Sequence, residues 1–210
     1  MKKIIVIGLI LLSACILIGL ISKLLTLPAW SQEKCEAPIW NVGEKWTYQD
    51  VNGGTSTTEI VEVKGDLYVV KLGRNLYAYD KKTMNAKYLI EEGKQVNTTY
   101  RGRKLLDFPL FVGKKWSDRR SGISVGPDFM DWLHEFRVEG VEEITTKAGT
   151  FKTYRIYEKQ RVMSRRRAEG WIRYWYAPEA KNWVKREVEK TAFWDNIKIL
   201  DTQLISFELK

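Results

Sequence analysis

Histidine is nearly missing from this chain: His134 is the only one in 210 residues. A Ser-His-acid or Cys-His arrangement would have to run through that single ring. His134-Glu135 also lacks the second histidine of a zinc-protease helix. The expectation is a structural or surface histidine with no catalytic role. Cysteine is as scarce, with Cys15 and Cys35 alone, which excludes a disulfide framework and a cysteine metal cluster. Cys15 lies inside an apolar run, so pairing with Cys35 is not expected. No glycine-rich phosphate loop is present, and no amphipathic helix of about 12 or more residues follows Lys23. No cofactor, metal or catalytic residue is therefore expected.

Acids are missing from the start of the chain: none precedes Glu33. Met1-Lys2-Lys3 is followed by Ile4 to Ser22, an uncharged and apolar run. A basic start with such a run is an export or insertion signal, and it is long enough to span a bilayer. Three readings stand. Leu12-Ser13-Ala14-Cys15 has the form of a lipoprotein cleavage box, with Cys15 as the lipidated residue. Alternatively, the whole run is an uncleaved membrane anchor. In the third, Ala29-Trp30-Ser31 ends a signal peptide cut before Gln32. All three place the body outside the cytoplasm, because Lys2 and Lys3 stay inside.

What the chain has in quantity is aromatic residues: nine Trp, ten Tyr and seven Phe. Such rings suit pleated, half-buried surfaces. The formal charge is +9, from 35 bases and 26 acids. Lys2, Lys3 and Lys23 account for three of those bases, so the body keeps a milder basic excess. It favours anionic surfaces such as lipid head groups but is too diffuse to indicate nucleic acid.

After a polar linker, 32–39, the pattern is of short strands and tight turns. Gly43 reads as a turn with a strand beginning near Lys45. Alternating runs follow at Thr55–Val63, Leu67–Leu72, Leu76–Tyr79, Lys87–Ile90 and Gln95–Tyr100. Lys104–Phe108 reads as a strand ending at Pro109. Arg119–Met130 reads as a surface loop or lid, and Asp131–His134 as the start of a helical turn. Gly140 marks a bulge in the strand after it. Three aromatic, β-branched runs fill Ala148 to Lys210, with Ala177-Pro178-Glu179-Ala180-Lys181-Asn182 as the clearest turn. Val42-Gly43-Glu44-Lys45-Trp46-Thr47 and Val112-Gly113-Lys114-Lys115-Trp116-Ser117 share one pattern, which reads either as a recurrent beginning of a strand or as coincidence or shared turn chemistry. The expectation is an all-β body over 40–210: a curved antiparallel meander forming a half-barrel, barrel or sandwich. One N-terminal hydrophobic helix within 1–31 precedes it.

Four segments occur in order: Val42-Gly43-Glu44-Lys45-Trp46-Thr47-Tyr48, Ala148-Gly149-Thr150-Phe151-Lys152-Thr153-Tyr154, Trp175-Tyr176-Ala177-Pro178-Glu179 and Leu204-Ile205-Ser206-Phe207-Glu208-Leu209. In these the chain resembles exported bacterial proteins of unknown function related to the lipoprotein-carrier fold. The resemblance implies a curved antiparallel sheet around an apolar concavity, envelope localisation and handling of apolar ligands. It transfers no catalytic residue.

Two candidate surfaces follow. Arg161, Arg165, Arg166 and Arg167 form a basic bend suited to anionic head groups, or simply a solvated hairpin tip. Trp46, Trp116, Trp171, Trp175 and Trp183 are candidates for an apolar concave face. The function expected is non-enzymatic: a membrane-held module binding lipid or another amphiphile. An assembly module contacting envelope proteins is the alternative, and a hydrolase using His134 is a third.

Overall fold

Alternation of large apolar and polar side chains makes strands of most of the residues described in a computed structural model of the chain: 33–96, 104–125, 128–163, 169–189 and 200–210. The expected N-terminal helix, Cys15, Arg165, Arg166 and Arg167 lie outside them. No described helix is long and apolar enough to cross a membrane.

The first six strands are β1 (Lys45–Asp50), β2 (Thr55–Lys64), β3 (Leu67–Leu72), β4 (Asn75–Asp80), β5 (Ala86–Glu91) and β6 (Lys94–Val96). The second six are β7 (Lys115–Val125), β8 (Asp128–Thr146), β9 (Gly149–Val162), β10 (Glu169–Ala177), β11 (Asn182–Val188) and β12 (Thr202–Glu208). They form one sheet in the order β6-β5-β4-β3-β2-β1-β12-β11-β10-β9-β8-β7. Each six is a meander, and the seam between them is the antiparallel pair β1–β12. Among the described residues the sheet is single and open, with edges at β6 and β7. A sandwich and a closed barrel are thereby set aside.

Several expectations need correction. Arg119–Met130 is no loop, because its described residues belong to the paired strands β7 and β8; Ser121 and Gly122 fall where the ladder slips between Arg120 and Ile123. Asp131–His134 is strand, since its side chains alternate with the rest of β8. Lys104–Phe108 is not in a strand; side chains hold it instead. The Asn85 amide donates to Leu106 O at 2.9 Å, and Leu106 N–H donates to Asn85 Oδ1 at 3.2 Å. The segment read as a linker contributes Cys35, which is buried and exchanges two 2.8 Å backbone hydrogen bonds with Leu110.

The shared strand beginning extends to a shared plan. Gly43 and Gly113 both hold left-handed backbone, φ 89° and 88°. Gly43 N–H donates to Ile60 O at 2.8 Å, and Ile60 N–H returns to Glu44 O at 3.0 Å. Gly113, Val138 and Lys114 repeat this pair at 2.9 and 2.9 Å. Just beyond each, the partner strand slips register: between Ile60 and Glu62 in β2, and between Val138 and Gly140 in β8. The Gly140 bulge is thus where the sequence places it. The two six-stranded units also slip alike between Ala78 and Tyr79 and between Trp175 and Tyr176.

Most of the core lies on one face, although Phe151, Thr153 and Trp175 are also buried on the other. Trp46 is fully buried and packs against Trp40, whose ring also meets Tyr68 and Tyr79. Both indoles cap the Pro178 turn: Trp40 Nε1–H donates to Lys181 O at 3.0 Å and Trp46 Nε1–H to Ala180 O at 2.6 Å. These bonds satisfy turn carbonyls that burial would otherwise leave unpaired.

Candidate functional site

Residues directly opposite one another in an antiparallel ladder share a face. Asp118 in β7 faces His134 in β8, His134 faces Gln160 in β9, and Gln160 faces Gly170 in β10. The next row runs Phe136, Glu158, Ile172. A polar lane therefore crosses the core face, among rings and aliphatics.

Its centre is Glu158, with no exposed surface; His134, Gln160 and Tyr174 are 4%, 3% and 3% exposed. Glu158 Oε1 lies 2.8 Å from His134 Nδ1 and accepts from Gln160 Nε2 at 2.8 Å. Tyr174 O–H donates to Oε2 at 3.0 Å. An ionised carboxylate only accepts, so Nδ1 carries the hydrogen in this arrangement. When the imidazole is neutral, Nε2 is then its lone-pair nitrogen. Nε2 is buried and has no hydrogen-bond partner among the described residues. The ring lies nearly parallel to Trp132 (6.0 Å, 12°) and Phe136 (6.4 Å, 16°), and Phe136 stacks on Trp116 (5.1 Å, 7°).

The matching positions in the first unit sharpen this. Val70 pairs with Ile60 as Ile156 pairs with Val138. Counting two residues on along each strand, Glu158 stands where the first unit has Leu72, which is 40% exposed. One unit exposes an apolar side chain where the other buries a carboxylate. Packing alone favours the reverse assignment, because buried charge is costly unless fully paired. Longer strands in β7–β10 carry this difference.

The five candidate tryptophans do not share a face. Trp46, Trp116 and Trp183 lie on the core side, Trp183 stacked on Tyr48 at 3.9 Å. Trp171 and Trp175 alternate with the buried Ile172, Tyr174 and Tyr176 and turn to the opposite side. There the Arg173 guanidinium sits 4.6 Å from the Trp171 ring centre and Lys185 Nζ 4.8 Å from that of Trp175. Trp175 Nε1–H donates to Glu142 at 2.7 Å. Glu139 is the hub of that outer face, paired with Arg137, Arg155 and Arg173. Partial burial would raise its pKa, but the Arg137 hydrogen bond and the three guanidinium charges hold it below the usual carboxylate range. Arg161 is ion-paired with Glu135, so it offers less charge to an anionic surface than the sequence suggests.

His134 is neither exposed nor isolated, which corrects the surface reading. Sequence reasoning missed Glu158, Gln160, Tyr174 and Asp118. The signal was present: Tyr154, Ile156, Glu158, Gln160 and Val162 are one face of β9, and two polar residues interrupt it. Among the described residues no group of His, Cys, Asp and Glu is arranged to hold a metal ion.

No family model matches the chain, and no curated protein matches it. Among solved structures it is similar to the hypothetical lipoprotein YmcC of Escherichia coli, at 10% identity and TM-score 0.45, over 82% of this chain and 90% of that one. A candidate exported protein with a YmcC-like fold from Bacteroides fragilis matches at 15% identity and TM-score 0.39, over 84% of this chain and all of that one. A candidate lipoprotein from Parabacteroides distasonis gives 14% identity and TM-score 0.39, with the same coverage.

Proposed function

We propose that the chain is an extracytoplasmic module of the bacterial cell envelope that binds an apolar or amphiphilic ligand against the core face of its sheet. The apolar run near the N-terminus supports export or tethering. The carrying observation is the buried Glu158–His134 pair: a face of rings and aliphatics where the buried His134 Nε2 has no hydrogen-bond partner among the described residues is suited to an amphiphile. Binding is favoured over Ser-type or Cys-type hydrolysis because the residues directly opposite His134, Asp118 and Gln160, bring neither a hydroxyl nor a thiol. Native mass spectrometry after gentle membrane extraction tests the reading. A co-purifying lipid mass is expected; repeated preparations with no bound mass and no uptake of added lipid would reject it.

A second reading, an assembly module for envelope proteins, draws on β7, an edge strand of 11 residues. Edge strands present unpaired backbone groups to partner chains. Crosslinking that retrieves protein partners and no lipid would favour it.

A further inference from the structure

The donors and acceptors of the polar lane are not balanced. Three donors are already directed at Glu158: Nδ1–H of His134, the Gln160 amide and the Tyr174 hydroxyl. What remains along the row is mostly acceptors, the second N–H of the Gln160 amide excepted. His134 Nε2 is one, and the Gln160 carbonyl oxygen is another by the inventory of its side chain. Asp118 is a third: its Oδ2 accepts from Lys104 N–H at 3.2 Å, and a carboxylate has further lone pairs. The row ends at Gly170, which places no side chain beside Gln160. Arg120, opposite Trp132 on the adjoining row, already holds an interaction of its own.

We infer that His134 Nε2 is a head-group anchor, and that the ligand donates a hydrogen bond to it from a neutral hydroxyl. This rests on the amphiphile-binding reading and names the head group it selects. A carboxylate or phosphate head would bring negative charge beside Glu158 and Asp118 and would meet mostly acceptors along the row. A hydroxyl satisfies the buried nitrogen and adds no charge to a site sheltered from water. The near-parallel rings of Trp132 and Phe136 on either side of His134 hold the imidazole in plane. The longer hairpins of β7–β10 supply this anchor on one unit only.

Because His134 is the only histidine, long-range proton–nitrogen NMR reads its ring without ambiguity. The free protein is expected to show an Nδ1-protonated tautomer whose bare Nε2 signal moves on ligand addition. Three lauryl amphiphiles, monolauroylglycerol, laurate and dodecylammonium, are titrated below micelle formation and followed by tryptophan fluorescence. Monolauroylglycerol should bind about tenfold more tightly than laurate, the size of one good hydrogen bond. His134→Phe should abolish that preference; if it fails to fold, His134→Asn keeps a donor for Glu158 but lacks Nε2. A preference for laurate or dodecylammonium, a doubly protonated ring at neutral pH, or equal binding unaffected by either variant would overturn the anchor while leaving amphiphile binding intact. Failure of all three to bind would overturn the amphiphile-binding reading as well.

Discussion

Met84 and Lys181 share one backbone conformation, φ 55° in both, and each is followed by a buried asparagine, Asn85 and Asn182. They occupy the matching turns of two six-stranded units whose ladders slip at matching places. The asparagines do different work. Asn85 pairs with both backbone groups of Leu106, whereas Asn182 Oδ1 accepts from the adjacent Trp183 N–H at 2.9 Å. Asn85→Ala should therefore cost about 2 kcal/mol or more, since it leaves two buried groups unpaired. Asn182→Ala should cost less. Urea titration of both variants checks the order.

Removing one member of the Glu158 cluster should be worse than removing several. Glu158→Leu restores the residue type of the matching position but orphans His134, Gln160 and Tyr174, and should cost about 3–5 kcal/mol. Adding His134→Phe and Tyr174→Phe should recover most of that loss, because apolar replacement of a buried polar cluster is often neutral. If the triple variant is no more stable than the single in urea, the cluster is structural rather than retained at a cost.

Lys181 also pins the chain end. Its ammonium meets Glu44, which has no exposed surface and also accepts from Asn41 Nδ2 at 3.2 Å and Lys210 N–H at 3.3 Å. Lys181→Ala leaves that carboxylate buried without its cation. A loss of about 3 kcal/mol is expected, with most of it restored by adding Glu44→Gln. Thermal unfolding of the single and double variants measures it.

Gly43 and Gly113 should respond alike. Alanine at either meets left-handed backbone strain of about 1–2 kcal/mol. A Cβ at Gly43 comes within 3.4 Å of the Lys210 side chain, and at Gly113 it meets nothing within 4 Å. The first is an ordinary van der Waals contact with a flexible side chain, so the two variants should lose about the same stability. Paired denaturation curves decide whether the two turns are equivalent.

Asp80 predicts an acid limb. The 2.8 Å Lys87 ammonium contact, with Thr83 N–H at 2.9 Å, lowers its carboxyl from 3.8 to about 2. The folded state holds that proton less tightly than the unfolded chain, so the stabilisation is fully present above about pH 4. It is lost as pH falls through the folded value near 2. Asp80→Asn should flatten stability between pH 4 and 2 and be a smaller perturbation of the slope above pH 5. An unchanged acid limb in the variant would refute the assignment.

How far the fold was legible follows from period two. In β1–β5 and β9–β12 short alternating runs and glycine turns locate strands, because each ladder residue must choose a face. Lys104–Phe108 misled because Leu106 is buried, and Leu105 and Phe108 half-buried, without a ladder partner; the Asn85 side chain stands in for a strand some 20 residues away in the chain. Arg119–Met130 misled because Gly122 looks like a loop signal, yet it falls where the β7–β8 ladder slips; Gly126 and Pro127 lie outside the described residues.

Composition and alternation by themselves determined that this chain makes an antiparallel sheet and that its aromatic residues build the interior, since local pleating needs only neighbours along the strand. They also marked Gly43 and Gly113 as twin turns. Which rows meet was decided only by tertiary pairing: the β1–β12 seam, the opposite facing of Trp171 and Trp46, and the meeting of His134 with Glu158, 24 residues on. Register across strands depends on how distant segments dock, and no single segment contains that information.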